Sequence, residues 1–490
     1  MVIYEKNEQV GGTWWENKYP GCACDVPSHN YTWSFEPKLD WSGTYASSKE
    51  IFNYFHSFTD KYALQHYCRM RHQVVSAIWN TQEHGYHVKI RDLNANTEID
   101  DFCDILINAG SVLNSWRWPA IPGLESYKGK LVHTANWNEF LVLDGKHVGL
   151  IGNGSSGIQV LPAILPRVKE VTTFIREPTW VSPIPGLEQH IFTAEEKEAF
   201  AAKPGLLTQY RKDIERGVPI PQWSVGCRRI TPGAGYLESL GAENVNVVYG
   251  NIDAVTPLGC VSGGREYPVD ALICATGFDT TFRPRFPIIG PTGSNLQDEW
   301  KNEPQPYFGI AAAGIPNYLM FLGPNSPVGN GPVLSAIEAQ ADYMMKLIDR
   351  YQTTNIASFS PRPEAVADFT AYKNRFMHGT VWKDACQSWY KAGRPDGSIT
   401  ALWPGSTLHY IEATDEVRTE DWETTCSGNR FDWLGNGYSQ TECDETADWA
   451  YYIRGKDDGE YQSRGKKRRI ATKSGTVKAD AGNFQVFPKI

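Results

Sequence analysis

Two stretches of the chain carry apolar residues at helical spacing. Residues 47–64 begin with Ser47 and Glu50, which match a capping box at a helix N-terminus. Residues 333–351 form a second, longer stretch of the same kind. The apolar positions are Ile51, Phe55, Phe58 and Tyr62 in the first stretch, and Val333, Ile337, Met344 and Ile348 in the second. We predict one amphipathic helix over each stretch.

Short runs of apolar and β-branched residues predict strands elsewhere in the chain. The runs 104–110 and 270–277 look buried, and both end in small residues. The run 147–151 is followed by a helical run at 158–165, which together predict a βα unit. The predicted strands are residues 2–5, 74–79, 86–90, 104–110, 147–151, 171–175 and 270–277. Strands that alternate with helices in this way predict an α/β fold.

A Gly-x-Gly-x-x-Gly motif lies between the predicted strand 147–151 and the helical run. A motif in this context is typical of dinucleotide binding. Gly152 permits a tight turn, Gly154 lets the pyrophosphate approach the backbone, and Gly157 lets the helix pack closely on the strand. The helix N-terminus then offers N–H groups to the phosphates. The predicted nucleotide site comprises Gly152, Asn153, Gly154, Ser155, Ser156, Gly157 and Gln159.

The residue after the next predicted strand, 171–175, indicates which nicotinamide cofactor binds. An acidic residue at this point would hold the ribose 2′-hydroxyl of NADH, whereas Arg176 suits the 2′-phosphate of NADPH. Glu177, the next residue, is a complication for this interpretation. We predict that Arg176 makes NADPH the preferred cofactor.

A further acidic strand end lies at the start of the chain, where the run 2–5 finishes in Glu5. In a dinucleotide fold this acid holds ribose hydroxyls and follows a strand and a glycine-rich turn by about 20 residues. Only four residues precede Glu5, so we expect this unit to lack its first strand and phosphate turn. Downstream, a turn at residues 19–21 delivers Asp25 to a fixed position.

Composition and charge exclude several classes of protein. Apolar residues make up 41% of the 490-residue chain and charged residues 21%, which is ordinary for a globular protein. A net charge of −9 argues against a nucleic-acid partner. Ten cysteines are too few for a disulfide scaffold. Cys22 and Cys24 stand too close together for a zinc hook, so we predict no metal and reduced core thiols at this pair.

The sequence does not predict a membrane span, because it has no run of 18 apolar residues. The N-terminus also lacks the basic and apolar regions of a signal peptide, so we expect a cytoplasmic protein. Four consecutive basic residues at 466–469 predict a solvated tail, with a nuclear signal as the alternative. We expect the last ~30 residues of the chain to be mobile.

Residues 11–25 resemble, nearly letter for letter, the flavin-proximal segment of Baeyer–Villiger monooxygenases, which use FAD, NADPH and O2 to insert oxygen beside a ketone. The pattern Tyr127-x-Gly129-x-x-x-His133-x-x-x-Trp137 resembles the fingerprint of the same family, with Tyr127 in place of the usual Phe. The resemblance implies a conformational role for this pattern, which couples NADPH binding to the flavin site. Related N-oxidising monooxygenases usually carry Phe or Tyr where Trp137 stands.

Three further segments resemble the family. Residues 226–229 resemble the segment that places an arginine over the flavin, and the matching residue is Arg229. The resemblance implies that Arg229 is catalytic and stabilises an oxygen anion, while Asp25 orients it through a charge-assisted bond. Residues 275–279 resemble the segment that links the two nucleotide domains, and residues 323–327 resemble the one under the flavin ring.

The FAD-binding residues that the resemblance implies come from several parts of the chain. They are Glu5, Gly12, Thr13, Trp14, Asp25, Val26, Tyr31, Val74 and Asn325. The implied fold has two Rossmann-like domains, the FAD domain without its first strand and phosphate turn, and a C-terminal helical or irregular region. We place the FAD domain at residues 1–144 and 281–412, where the second part also supplies substrate-pocket helices. The NADPH domain is placed at 145–280 and a C-terminal extension at 413–490.

The resemblance covers about residues 1–450 and is greatest to fungal members, among them enzymes of aflatoxin and sterigmatocystin synthesis. It implies an enzyme of polyketide metabolism that converts a small carbonyl substrate into an ester or lactone. One alternative is an N- or S-oxygenating flavin monooxygenase, against which Trp137 and Arg229 argue. The other is a nucleotide-binding protein without catalytic activity, because the phosphate turn before Glu5 is expected to be missing.

Overall fold

The computed structural model describes residues 1–450 apart from 178, 182–187, 218–230, 330, 385, 387, 440 and 445. The elements of its first part are β1 (Ile3–Glu5), α1 (Thr13–Glu16), α2 (Ser48–Lys61), β2 (Cys68–Met70), β3 (His72–Asn80), β4 (Gly85–Asp92), β5 (Thr97–Cys103), β6 (Leu106–Asn108) and β7 (Lys130–His133). β1 and β2 form a parallel pair, whereas β3, β4 and β5 form an antiparallel meander.

The middle of the chain builds a parallel sheet. Its elements are β8 (His147–Ile151), α3 (Ser155–Ile164), β9 (Glu170–Ile175), α4 (Ala194–Ala202), α5 (Leu206–Gly217), α6 (Tyr236–Leu240), β10 (Val245–Tyr249), β11 (Ala254–Val255), β12 (Gly259–Ser262), β13 (Arg265–Pro268) and β14 (Ala271–Cys274). The five strands run in the order β10-β9-β8-β14-β7, and each neighbouring pair is parallel. β14, predicted from the run 270–277, is buried at all four positions because it lies inside this sheet.

The last part returns to the first. Its elements are β15 (Ile288–Ile289), α7 (Leu296–Glu299), β16 (Pro306–Tyr307), β17 (Ala311–Ala312), β18 (Tyr318–Met320), α8 (Val333–Thr353), β19 (Ile356–Pro361), α9 (Pro363–His378), α10 (Thr407–Ala413) and β20 (Trp422–Cys426). β15 extends the meander beside β3, and β18 pairs with β6, both in parallel. The two outer parts of the chain therefore fold together around the middle one.

The two predicted helices are present as α2 and α8. The Ser47 hydroxyl caps α2 by accepting a hydrogen bond from the backbone N–H of Glu50. The second half of the predicted capping box does not form, because the Glu50 carboxylate accepts from the backbone N–H and the hydroxyl of Ser42. Glu50 thus bonds to Ser42 in place of the backbone N–H of Ser47. The sequence pattern alone could not indicate this exchange.

The predicted buried strand at 104–110 is shorter and more exposed than expected. β6 covers three residues, and the side chain of Ile107 is 41% exposed. Within the described residues β6 pairs with β18 alone, so its other edge has no strand beside it. An apolar run predicts a strand but does not indicate whether neighbouring strands or helices cover it.

Further expectations concern other parts of the molecule. Cys22 and Cys24 are buried and reduced, as predicted. No helix in the described part of the chain is long and apolar enough to cross a membrane. The basic run at 466–469 and the final residues, predicted to be mobile, lie outside the described residues, and the proposed domain boundaries stay predictions.

Candidate functional site

A cavity of about 920 Å³ opens at the C-terminal ends of β8, β9 and β14. The turn between β8 and α3 forms one wall, and residues 275–278 form another. Ligands of open α/β sheets bind at this edge, where helix N-termini point toward them. The cavity is therefore placed where the glycine motif predicts a nucleotide.

The three motif glycines have different surroundings. Gly152 has a φ of 100°, and a Cβ built on it would lie 2.6 Å from the carbonyl oxygen of Ala275. A Cβ on Gly157 would lie 2.1 Å from the carbonyl oxygen of Gly152, so any side chain there would push α3 away from β8. A Cβ on Gly154 would meet nothing within 4 Å, because this residue faces the cavity. These positions fit the three roles that the motif assigns.

Two arginines line this cavity. Arg176 follows β9, as predicted, and Arg117 comes from the loop before β7. The Asn153 amide donates a 2.9 Å hydrogen bond to the carbonyl oxygen of Glu177, which ties the motif turn to the residue beside Arg176. The site thus combines a helix N-terminus with two guanidinium groups, a set of donors that suits a phosphorylated dinucleotide.

The predicted nucleotide residues do not all reach the cavity. Ser155 lines it, and its hydroxyl lies 3.3 Å from that of Thr231. In the described part of the chain, Ser156, Gly157 and Gln159 are not among the lining residues. The Gln159 side chain instead bonds to residues 19–23, on the flavin-proximal segment.

Tyr127 and Gly129 of the fingerprint form one local unit. The Tyr127 hydroxyl donates a 2.8 Å hydrogen bond to the carbonyl oxygen of Val269. A Cβ on Gly129 would lie 2.3 Å from that hydroxyl, so glycine is needed where the ring folds back. Tyrosine in place of phenylalanine therefore adds a hydrogen bond that ties the start of β7 to the loop before β14.

His133 connects the fingerprint to the cavity wall. Its Nδ1 accepts from the backbone N–H of Ala135 at 3.1 Å, so we assign the proton to Nε2, which donates to the Thr276 hydroxyl at 3.1 Å. Burial lowers the pKa of His133 to about 4. The neutral imidazole is stacked on Trp116, with ring centroids 4.8 Å apart. Because Thr276 lines the cavity, His133 supports the cavity wall through this hydrogen bond.

Trp137, the last fingerprint residue, lies in a different environment. It packs against a buried core that joins Tyr19 and Cys22 to residues of α3 and the parallel sheet. Trp137 therefore contacts the junction between the flavin-proximal segment and the nucleotide-binding unit. This location supports a conformational role for the fingerprint.

Part of the predicted FAD set comes together in one cluster. The Trp14 indole N–H donates to the Tyr31 hydroxyl at 3.3 Å, and the two rings meet edge to face. Val26 and Trp14 pack against the cluster that contains Tyr31 and Leu334 of α8. This cluster joins the flavin-proximal segment to the first turn of α8.

Other predicted FAD residues lie outside this cluster. Glu5 ends β1 and accepts a 2.8 Å hydrogen bond from the backbone N–H of Asn7. Desolvation raises the pKa of Glu5 above its ordinary value. Gly12 and Thr13 form the start of α1, and Thr13 is exposed. Val74 lies in β3 and packs in the cluster of the antiparallel meander, apart from Tyr31.

Asn325 is almost fully buried, at 1% exposure, and its side chain is already engaged. The amide donates to the carbonyl oxygens of Ile399 and Leu402, at 3.2 and 3.0 Å. Its backbone has a φ of 59°, a left-handed conformation that asparagine tolerates better than most residues. Asn325 therefore anchors the loop before α8 to residues 399–402, and its backbone N–H adds a 2.8 Å hydrogen bond to the carbonyl oxygen of Thr400.

The predicted catalytic pair is Arg229 with Asp25. Arg229 lies outside the described residues, as does the whole segment 226–229. Asp25 is half-buried, and it lies near Tyr19 and Tyr45, whose pKa values its charge helps to raise. The predicted contact between Asp25 and Arg229 stays a prediction.

Several cavity residues were not predicted from the sequence, among them two tryptophans and an arginine. Arg117 and Trp118 come from the loop before β7, and Trp389 comes from the C-terminal part of the chain. The backbone of Trp116 bridges that of Phe278, which holds this loop against the segment 275–279. The alternation of tryptophan and arginine at residues 116–118 was a usable signal, but Trp389 reaches the cavity only through tertiary folding.

Comparisons with known proteins agree with this geometry. Residues 27–184 match the family described as FMO-like, flavin-binding monooxygenase-like. FAD-binding monooxygenase tazF of Aspergillus terreus is 37% identical over 92% of this chain and 89% of its own. A Baeyer–Villiger monooxygenase of Streptomyces coelicolor is 31% identical over 86% of this chain and 87% of its own. Cyclohexanone monooxygenase of Rhodococcus sp. Phi1, solved bound to NADP+, aligns at 25% identity and a TM-score of 0.75, over 87% and 94% of the two chains.

The fold and the site define a flavin-dependent monooxygenase with two Rossmann-like domains. The chain belongs to the family of FAD-binding Baeyer–Villiger monooxygenases. The family and the enzyme class that the sequence predicts are thereby confirmed.

Proposed function

We propose that this protein uses FAD, NADPH and O2 to insert one oxygen atom beside a ketone, which yields an ester or lactone. The observation that carries the proposal is the pairing of a nucleotide cavity with the fingerprint residue His133, whose Nε2 bonds to the cavity residue Thr276. Bound FAD would supply electron transfer and oxygen activation, with NADPH as the source of the hydride. The protein must then hold both cofactors and the ketone in one geometry.

Arg176 and Arg117 support the choice of NADPH. Both line the cavity, so both lie where phosphate groups of the cofactor would be bound. Gly154 leaves space for the pyrophosphate, and the N-terminus of α3 supplies backbone donors. On this proposal Arg176 binds the 2′-phosphate, because it follows β9 where an acid would otherwise bind the ribose.

Trp14, Val26 and Tyr31 support the flavin side of the proposal. They pack with the first turn of α8, next to the loop that Asn325 anchors. Asp25 lies in the same segment and is proposed to orient Arg229. The guanidinium of Arg229 would stabilise negative charge on oxygen during attack on the ketone.

The proposed substrate is a carbonyl compound of fungal polyketide metabolism. The aromatic residues Trp118, Phe278 and Trp389 line the cavity. Relatives such as FAD-binding monooxygenase stcW of Emericella nidulans, 34% identical over 90% of this chain, are fungal proteins. Flat aromatic faces favour contact with a planar substrate.

The test is a substrate panel with purified protein, FAD and NADPH. A cyclic ketone and an aryl ketone are compared with a thioether and a tertiary amine, and products are identified by mass spectrometry. We expect ester or lactone from the ketones. Arg229→Ala should still consume NADPH but make no ester, and Arg229→Lys should rescue poorly because a point charge lacks the planar fork. Oxides of the amine and thioether without any ester would contradict the proposal.

A further inference from the structure

Gln159 lies on α3 and makes three hydrogen bonds to the flavin-proximal turn. Its Oε1 accepts from the Tyr19 hydroxyl at 2.8 Å and from the backbone N–H of Ala23 at 3.5 Å. Its Nε2 donates to the carbonyl oxygen of Ala23 at 2.9 Å. A single amide therefore holds both ends of the turn at residues 19–23.

The surroundings of this contact are tightly packed. Tyr19 is only 8% exposed, and with Cys22 it belongs to the same core as Ile158 and Leu161 of α3. A Cβ on Gly21 would lie 2.4 Å from the carbonyl oxygen of Gln159, so the turn approaches the helix as closely as glycine permits. Burial raises the pKa of Tyr19 above its ordinary value, so its phenol stays protonated and can donate.

The position of Gln159 along α3 shows which two parts of the molecule the contact connects. The N-terminal residues of the helix, Gly154 and Ser155, line the nucleotide cavity, whereas Gln159 lies about one turn further on. The turn that it holds continues to Asp25, two residues beyond Ala23, and then to Val26 and the flavin-side cluster. One helix thus borders the cavity at its start and contacts the flavin-proximal segment on its side.

We propose that Gln159 is a positioning residue that fixes the flavin-proximal turn relative to the nucleotide-binding end of α3. On this proposal the amide sets the alignment of NADPH with the flavin without touching either cofactor. The inference rests on the proposed function, because it assumes that NADPH reduces a flavin in this protein. It also replaces the expectation that Gln159 binds the nucleotide directly.

The test compares Gln159→Leu, Tyr19→Phe and the double variant in the full-length holoenzyme. Three quantities are measured: the thermal unfolding midpoint, the Kd for NADP+, and the rate of flavin reduction by NADPH in single turnover. We expect each single variant to slow reduction about 10-fold or more while the Kd changes less than about 2-fold. The double variant should be no worse than the poorer single variant, in both the rate and the midpoint, because Gln159→Leu already removes the hydrogen bond that Tyr19→Phe breaks.

Two controls keep the result specific. Gln82→Leu, in the exposed turn between β3 and β4, should change neither the rate nor the midpoint. Gln159→Glu keeps an acceptor for the Tyr19 hydroxyl and should recover part of the lost rate. Tyr19→Phe removes one oxygen atom only, so it carries the test if the leucine variant does not fold.

Three outcomes would overturn the inference. A Kd for NADP+ raised about 10-fold or more by Gln159→Leu but unchanged by Tyr19→Phe would mean that Gln159 binds the nucleotide. Additive losses in the double variant would mean that the two residues act separately. Loss of stability with normal reduction rates would mean a merely structural contact. If the wild type itself does not bind NADP+, the proposed function fails, and the midpoints still decide whether the two side chains are coupled.

Discussion

Arg176 and Arg117 bring two guanidinium groups to one cavity, and they come from different elements. Arg176 follows β9, while Arg117 is carried by a loop whose backbone is bridged to the segment 275–279 through Trp116. An arginine binds a phosphate through the coplanar N–H donors of its guanidinium group. Since only NADPH carries a 2′-phosphate, the arginine that binds it should affect one cofactor and not the other.

We predict that Arg176→Ala weakens NADPH use roughly 10- to 100-fold, which corresponds to the loss of a charge-assisted contact of about 1.5–3 kcal/mol. The use of NADH should hardly change. The measurement is kcat/KM for both cofactors. Arg167→Ala, which removes an exposed cation paired with Asp144, is the matched control. Equal weakening of both cofactors would mean that Arg176 has a structural role.

His133 is held neutral by its surroundings, and this has a consequence for stability. It is 1% exposed, its Nδ1 accepts from a backbone N–H, and its pKa falls to about 4. An unfolded histidine has a pKa near 6.5, so between pH 6.5 and 4 the unfolded chain binds more protons than the folded one. The contribution of His133 is therefore complete above pH 6.5 and is lost as the pH falls toward 4.

We predict that the free energy of unfolding falls between pH 6.5 and pH 4, with His133 as one of its causes. His133→Gln should lower stability at pH 7 and make the fall with pH shallower. The measurement is denaturant unfolding at several pH values. His66→Gln, at an exposed position, serves as the control and should leave the slope unchanged. If His133→Gln left the slope unchanged, the conclusion that His133 is neutral in the folded protein would be contradicted.

At the scale of elements, the unit formed by β8, its turn and α3 carries the proposed nucleotide site. Its glycines have separable functions, because a Cβ on Gly157 would collide with the carbonyl oxygen of Gly152, whereas one on Gly154 would project into open space. Gly157 therefore determines how closely α3 packs on β8, whereas Gly154 determines what the cavity can hold. The same chemical change at the two positions should therefore have different effects.

We predict that Gly157→Ala lowers the free energy of unfolding by about 1–3 kcal/mol, as overpacking does, and weakens NADP+ binding with it. Gly154→Ala should leave stability within about 0.5 kcal/mol and weaken NADP+ binding alone. Thermal unfolding and titration with NADP+ distinguish the two. Equal losses of stability would show that the turn does not have the geometry described.

Elements were predictable from the sequence where the local pattern and the tertiary structure agree. α2, α8, the β3–β4 hairpin and the β8–α3 unit follow from periodicity and glycine spacing. The short strands from β15 to β18 and the C-terminal β20 were not predicted, because strands of two to five residues carry too little pattern. The exposure of Ile107 in β6 depends on its neighbours, which periodicity does not describe.

The site residues show the same division between what a local pattern indicates and what depends on the tertiary structure. The glycine turn and Arg176 line one cavity, and Trp14 packs with Tyr31, while their roles as cofactor ligands stay predictions. Gln159 and Asn325 belong to the same motifs, but their side chains are engaged in packing contacts that join distant segments. A motif indicates that a residue belongs to a site, whereas only the folded structure shows whether its side chain faces the ligand or supports it.

The whole molecule acts as a monooxygenase only if the nucleotide and flavin sites are held in one alignment. The core that contains Tyr19, Cys22 and residues of α3 joins the flavin-proximal segment to the parallel sheet, and Trp137 packs on it. His133 supports the cavity wall through Thr276. The fingerprint therefore connects the two halves of the proposed reaction, in which electrons from NADPH lead to oxygen transfer to a ketone.

The most direct measurement is isotopic. Purified protein with FAD and NADPH is given a ketone under ¹⁸O₂, and the product is analysed by mass spectrometry. We predict an ester or lactone that carries a single ¹⁸O atom from the gas, with NADPH consumed in equal amount. NADPH consumption that yields only hydrogen peroxide, or a product whose added oxygen comes from water, would contradict the account.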